Sequence, residues 1–228
     1  MHAVETRCLT KVFHAKNPFS FVRSGTNSVI AIENVSFTAD AGQSVAITGE
    51  NGSGKTTLLK MLAGLVLPTS GSALVCGYDS VTGGKQARKR VGYAPAEERS
   101  LYWKLTARAN LEFHAALHGL PSDISLERIN RFIDALDLSA HAETRVEEYS
   151  SGMRQRLSVA RCLLHDPEVL LLDEPTKCLD DRHSAVVRSL IKSLAKDKGK
   201  TIIFATHVRA EAEETADTVV NLGVGKTA

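Results

Sequence analysis

Gly49-Glu50-Asn51-Gly52-Ser53-Gly54-Lys55-Thr56-Thr57 decides how the rest of the chain is read. It follows the short apolar run Ser44-Val45-Ala46-Ile47 and precedes Leu58-Leu59-Lys60-Met61-Leu62-Ala63, whose leucines and methionine recur at helical spacing. The order is therefore strand, glycine loop, helix. Glycines at 49, 52 and 54 let the backbone curl with its N–H groups pointing inward, and the helix that begins at the loop adds free amides and its positive dipole end. A phosphate fits there. Lys55 is placed to neutralise the β- and γ-phosphates and the Thr56 hydroxyl to ligate Mg²⁺, with Asn51, Ser53 and Thr57 in the same nucleotide-binding stretch.

Outward from that loop, composition sets limits. The 228 residues are 43% hydrophobic, enough for one large domain or one domain with a sizeable insertion. The net charge of +2 gives no electrostatic case for a nucleic-acid partner. The basic run Lys85 to Arg90 reads as a solvated helix face. No uncharged apolar stretch approaches the roughly 18 residues that a membrane-crossing helix needs, and the start of the chain has no signal-peptide core, so a cytoplasmic location is expected. Cys8, Cys76, Cys162 and Cys178 are too far apart for a zinc or redox pair and read as reduced, mostly structural thiols.

Strand-forming pieces precede the loop at Val4 to Val12 and Val29 to Phe37, and Asp40-Ala41-Gly42 turns into the strand that feeds it. Gly64 and Pro68 stop the helix that follows, and a further strand runs from Ala73 to Cys76. From about Thr106 to His165 the pattern is helical. Ala109, Leu111, Phe113, Ala116 and Leu117 are expected on one apolar face, then Leu126, Ile129, Phe132, Ile133 and Leu136 on the next. Alternation of strand and helix resumes with Glu168 to Leu172, Ala185 to Ala195, Thr201 to Ala205 and Thr218 to Asn221, which predicts an α/β fold.

Two of those later strands carry chemistry. Val169-Leu170-Leu171-Leu172-Asp173-Glu174 is a buried-strand run that ends in two carboxylates, and parallel α/β sheets present ligands at the carboxyl ends of their strands. Asp173 suits the Mg²⁺ shell, and Glu174 suits polarising a water for attack on the γ-phosphate. Thr201-Ile202-Ile203-Phe204-Ala205-Thr206-His207 delivers His207 to the same edge, where an imidazole can hydrogen-bond a γ-phosphate or a catalytic water. His114 and His118, four apart on a predicted helix, lack a third ligand and read as a surface or partly buried pair.

With these anchors the chain resembles the nucleotide-binding subunit of an ATP-binding cassette (ABC) transporter over nearly its whole length. Tyr149-Ser150-Ser151-Gly152-Met153-Arg154-Gln155-Arg156-Leu157 stands where that family has its Leu-Ser-Gly-Gly-Gln signature. Ser150 and Gly152 keep the phosphate-binding serine and second glycine, while Tyr149, Ser151 and Met153 depart from the pattern. The resemblance implies a P-loop NTPase (RecA-like) core with a mainly parallel sheet, an N-terminal antiparallel β part and an inserted helical subdomain. It puts the core at residues 1–95 and 167–228 and the helical part at about 96–166. It further implies ATP and Mg²⁺ as ligands, and a head-to-tail pair in which each ATP lies between one chain's loop and the other chain's signature. The second subunit is a copy or a paralogue.

Other positions follow from the same resemblance. Phe13 takes the place of the aromatic that stacks on adenine, Asp180 that of the acidic residue in the loop after the catalytic glutamate, and His207 that of the switch histidine. Where the family has a glutamine after Val91-Gly92-Tyr93-Ala94-Pro95, Ala96 and Glu97 compete; only a carboxylate at Glu97 can ligate the metal. The stretch from Glu98 to Thr106 resembles exporter-type members, its aromatics suited to a membrane permease or to local packing. The resemblance thus implies an ATPase held at the inner face of the cell membrane by a permease, against two rivals: a soluble ABC ATPase acting in translation or DNA repair, and a regulatory subunit with weak hydrolysis.

Overall fold

The structure, a computed structural model, describes residues 2–14, 28–96 and 100–223. Strand β1 (His2–His14) pairs antiparallel with β2 (Ser28–Asp40), and both run further than their apolar cores because the pairing continues through bulges to His14↔Ser28. Gly42, at φ +79°, turns the chain into β3 (Ser44–Thr48), and α1 (Lys55–Leu62) follows the glycine loop. Gly64, at φ +66°, ends that helix by donating to the Met61 carbonyl at 3.0 Å. β4 (Ser70–Val75) and β5 (Tyr78–Asp79) form a hairpin closed by Cys76 and Gly77, both at positive φ. The short β5 has no counterpart in the sequence reading.

Next come α2 (Gly84–Lys89), with its Lys85, Arg88 and Lys89 side chains exposed as expected, and β6 (Val91–Ala94). Three helices fill the following stretch: α3 (Ala107–Leu117), α4 (Ser122–Ala135) and α5 (Ser151–Leu163). The chain closes with β7 (Val169–Asp173), α6 (Asp181–Lys196), β8 (Thr201–Ala205), α7 (Arg209–Thr215) and β9 (Thr218–Asn221).

The strands sort into two sheets. β2-β1-β4-β5 is antiparallel, and β6-β7-β8-β3-β9 is parallel throughout. β3, β7 and β8 are apolar on both faces because both faces are covered. Val45, Ile47, Leu171 and Ile203 point toward α1 and the antiparallel sheet, whereas Ala46, Leu170, Leu172, Ile202 and Phe204 point into the core shared with α3, α4, α5 and α6. Parallel pairing brings all five carboxyl ends to one edge.

The helical stretch corrects one expectation. α4 buries Ile129, Phe132 and Ile133, with Leu136 just beyond it, as read. Leu126 of α4 is exposed, however, and in α3 the inner face is Ala107, Asn110, Leu111 and Ala115, with Phe113 and Leu117 exposed. Asn110 displaces an apolar residue because its amide organises the preceding loop: Oδ1 accepts from the Tyr102 N–H at 2.7 Å, and Nδ2 donates to the Tyr102 and Thr106 carbonyls at 2.9 and 3.0 Å. All four cysteines are free.

Candidate nucleotide site at the carboxyl edge

The loop after β3 needs its glycines. Gly49 sits at φ +150°, where a Cβ would lie 2.6 Å from the Leu222 carbonyl oxygen. Gly54 sits at φ +92°, where one would lie 2.2 Å from that of Ala31. A side chain at either position would force the loop open. Lys55 is buried, and its ammonium donates to the Gly49 and Glu50 carbonyls at 2.8 and 2.9 Å, so the cation lies inside the curl of the loop. Ser53 Oγ is buried without a hydrogen-bond partner among the described residues. A cavity of about 910 Å³ opens beside the loop, lined by Gly49, Glu50, Asn51, His207 and Leu222 among others.

α1 starts at Lys55, so Thr56 stands in its first turn, facing the end of β7. The Thr56 hydroxyl lies close enough to the carboxylate of Asp173 to favour its charged form. Asp173 is buried, and burial pushes its carboxyl above the usual range, aided by the charge of Glu174 and opposed by the Thr56 hydroxyl, Lys60 and the Ala96 amide. Its Oδ2 has no hydrogen-bond partner among the described residues. A buried carboxylate oxygen left over beside a threonine hydroxyl is a hard-oxygen donor set of the kind Mg²⁺ takes.

Glu174 follows at φ +49°, a left-handed conformation that a non-glycine residue adopts at a cost of order 1 kcal/mol. Its N–H donates to the Ala205 carbonyl at 2.9 Å, which holds it to β8. Its Oε1 lies 3.1 Å from His207 Nδ1, so the two strand ends bring together the two side chains expected to meet. Its Oε2 lies 3.2 Å from Lys177 Nζ. Burial alone would raise the Glu174 carboxyl, but the hydrogen bonds from Lys177 and His207 outweigh it and hold it below the usual value.

Ser150 caps α5: its hydroxyl accepts from the Met153 N–H at 3.2 Å. Gly152 has a reason within this chain, since a Cβ would lie 2.9 Å from the Cys178 carbonyl oxygen, so the first turn of α5 packs on the loop after Glu174. Tyr149 is buried and donates to the His141 carbonyl at 2.7 Å, which accounts for a large residue there. Phe13 stands half exposed at the end of β1, with the Lys11 ammonium 4.9 Å from its ring centre. Asp180 caps α6 through the His183 N–H at 2.8 Å. Glu97 lies outside the described residues. His114 and His118 point to different partners: the Ser100 carbonyl at 3.3 Å and the stacked ring of His165 at 4.1 Å.

Three residues at this edge escaped the sequence reading. Lys177 is three residues from Glu174 and visible in principle. Gln155, whose amide donates to the Glu174 carbonyl at 3.3 Å, comes from the distant α5, and Glu211, which bonds both Thr176 and Thr206, follows His207 by four residues in α7; neither belongs to a motif.

A glycine cradle around a lysine, a threonine against a strand-end aspartate and a paired glutamate and histidine on one sheet edge define a P-loop NTPase. More narrowly, the chain belongs to the ABC transporter family, whose profile matches residues 32–177, and is a nucleotide-binding subunit of it. It is 37% identical over 198 residues to the ABC transporter ATP-binding protein NatA of Bacillus subtilis, covering 87% of this chain and 80% of that protein. It is 34% identical over 218 residues to the Nod factor export ATP-binding protein I of Cupriavidus metallidurans, covering 96% and 70%. Among solved structures, the cassette cbiO1 from Clostridium perfringens, part of the ABC transporter complex cbiONQ, aligns with a TM-score of 0.79 at 25% identity over 100% of this chain and 87% of that one. In fold the chain also matches a dimeric ATP-binding cassette in a post-hydrolysis state bound to ADP and Pi, with a TM-score of 0.85 at 24% identity over 98% and 96%.

Proposed function

We propose that the chain hydrolyses ATP at this edge as one half of a head-to-tail dimer, and that hydrolysis drives a separate membrane permease in the direction of export. The observation that carries the reading is the convergence of Lys55, the Thr56–Asp173 pair and the Glu174–His207 pair at the carboxyl ends of three adjacent strands. The loop amides and Lys55 hold the β- and γ-phosphates. Thr56 and Asp173 would hold Mg²⁺, which when bound neutralises phosphate charge, with Glu97 as a third ligand. Glu174 orients the attacking water and takes its proton, and His207 fixes that carboxylate and contacts the γ-phosphate. Phe13 stacks on the adenine. Ser150 and Gly152 of the second chain complete the phosphate cage.

Support for assembly comes from relatives. One fold neighbour is described as a dimeric cassette, another as part of a transporter complex, and one relative by name as an export ATP-binding protein. No helix among the described residues is long and apolar enough to cross a membrane. Tyr102 and Trp103 are about half exposed, at 48% and 51%, and with Phe113 form an apolar surface suited to a permease that would keep the chain at the inner face of the membrane.

Glu174→Gln tests the chemistry: ATP binding is expected to survive while turnover falls about 1000-fold. Unchanged hydrolysis would remove Glu174 from the mechanism. A pull-down from detergent-solubilised membranes tests the assembly, since a multi-span protein in near-equal amount supports transport and ribosomal or DNA-repair partners sink it. The Lys177–Glu174 ion pair favours a second reading, a regulatory subunit with weak hydrolysis, because it engages the general base with a cation of the same chain. The wild-type rate separates the two: about one turnover per second or more supports the first, and tight ATP binding with far slower turnover the second.

A further inference from the structure

We infer that Glu211, which no motif singles out, is the positioning residue that holds Glu174 and His207 in a common frame. The inference rests on the reading that those two side chains act on ATP. The β7–β8 ladder ends at Asp173↔Ala205, closed by the Glu174 N–H on the Ala205 carbonyl. Beyond that point the two chains separate into the loops that carry the reactive groups, and Glu211 spans them. Its Oε1 accepts from Thr176 Oγ1 at 2.6 Å and its Oε2 from Thr206 Oγ1 at 2.6 Å. Thr176 lies two residues after Glu174, and Thr206 immediately precedes His207.

The bonds are directional. Thr206 Oγ1 also accepts from the Val208 N–H at 3.1 Å, so the hydroxyl proton is committed to Glu211. The Thr176 carbonyl accepts from the Leu179 N–H at 3.2 Å, so the same contact orders the loop toward Asp180. α7, which carries Glu211, is anchored on β3 by the Ser44 hydroxyl donating to the Thr215 carbonyl at 3.2 Å, with Ala212 and Thr215 buried. The brace is thus referred back to the strand that feeds the phosphate loop.

Stability alone does not explain this arrangement. Glu211 is only 6% exposed, and no cation pairs with it among the described residues. A buried carboxylate without a counter-charge is a poor way to hold two loops together when apolar packing is available. Two short hydroxyl bonds to one planar charged group do, however, fix distance and angle in a way that apolar contacts do not. Where a misplacement of about 1 Å costs as much as 100-fold in rate, that difference matters.

The test separates rate from affinity. Glu211→Gln keeps the shape but leaves one oxygen to serve two donating hydroxyls, and Thr176→Val and Thr206→Val each remove one arm. The expected result for all three is a fall in kcat of about 10- to 100-fold, with KM and Kd for ATP within about two-fold of wild type and melting little changed. Thr176→Ser and Thr206→Ser restore turnover, and Glu214→Gln, on the outer face of α7, leaves it unchanged. An unaltered kcat in Glu211→Gln, a kcat loss matched by an equal loss of ATP affinity, or serine variants as slow as the valine ones would overturn the inference. A wild-type chain that does not hydrolyse ATP would instead overturn the reading beneath it, and this role with it.

Discussion

The carboxyl edge of the parallel sheet and the helical stretch from α3 to α5 are built on different principles. At the edge, Gly54, Glu174 and Cys178 lie in the left-handed region, Lys55, Asp173 and Glu211 are buried, and Ser53 Oγ and Asp173 Oδ2 lack hydrogen-bond partners among the described residues. In the helical stretch, Leu111, Ile129, Phe132, Leu136 and Leu157 pack apolar against apolar, and Thr106 and Ser150 cap their helices with side-chain oxygens. Left-handed backbone and unmatched buried polar atoms occur in the helical stretch too, at Asp137 and in Arg156, Ser158 and Arg161, but there they are set among apolar packing, whereas those of the edge adjoin the phosphate loop. Stability and chemistry should therefore be separable by mutation.

Leu111→Ala is expected to show the largest effect, and only on stability. The side chain is fully buried, and its truncation costs about 3 kcal/mol in chemical denaturation. ATP affinity of the folded protein should stay within about two-fold. A parallel loss of affinity would mean that the two regions behave as one energetic unit, and the contrast would fail. Lys55→Ala should do the opposite. Removing the cation inside the loop is expected to weaken ATP binding about 100-fold, or about 2.7 kcal/mol, as read by titration calorimetry. Melting of the nucleotide-free protein should move less than in Leu111→Ala.

The same contrast explains what could be read from the residues alone. β3, its loop and α1 were legible because their chemistry is contiguous: apolar strand, glycines and lysine succeed one another within twenty residues. β7 and β8 were legible because a fully buried strand is a continuous apolar run that ends where polar residues begin. Glu174 and His207 could then be expected to meet, since parallel strands share an edge. In α3 the periodicity held but the phase slipped, because Asn110 faces inward to serve backbone groups of the preceding loop while Phe113 faces outward beside Tyr102. Glu211 and Gln155 were invisible for a related reason: each acts on the site through one or two side-chain hydrogen bonds, which leave no periodic trace. β5 was missed because two residues are too few for a pattern.

Acid should act on the two regions through different groups. His165, just past α5, donates through Nε2 to the Val91 carbonyl, 3.0 Å away, and stacks on His118 with planes 3° apart. Burial, with His118 beside it, pushes its pKa down to about 4, and burial likewise lowers His114 and His118. In the unfolded chain a histidine titrates near 6.5. As pH falls through that value the unfolded state gains protons that the folded state refuses, so stability present at neutral pH is lost between about 6.5 and 4. Asp173 works the other way: its raised pKa means that the folded state takes a proton more readily than the unfolded one, and acidification toward the carboxylate range favours folding there. His165→Gln, which keeps a hydrogen-bonding group near Val91 but cannot titrate, should therefore lose less melting temperature between pH 7 and pH 5 than wild type does. Equal losses in the two proteins would move the acid sensitivity away from the helical stretch and leave burial of this imidazole without a consequence for folding.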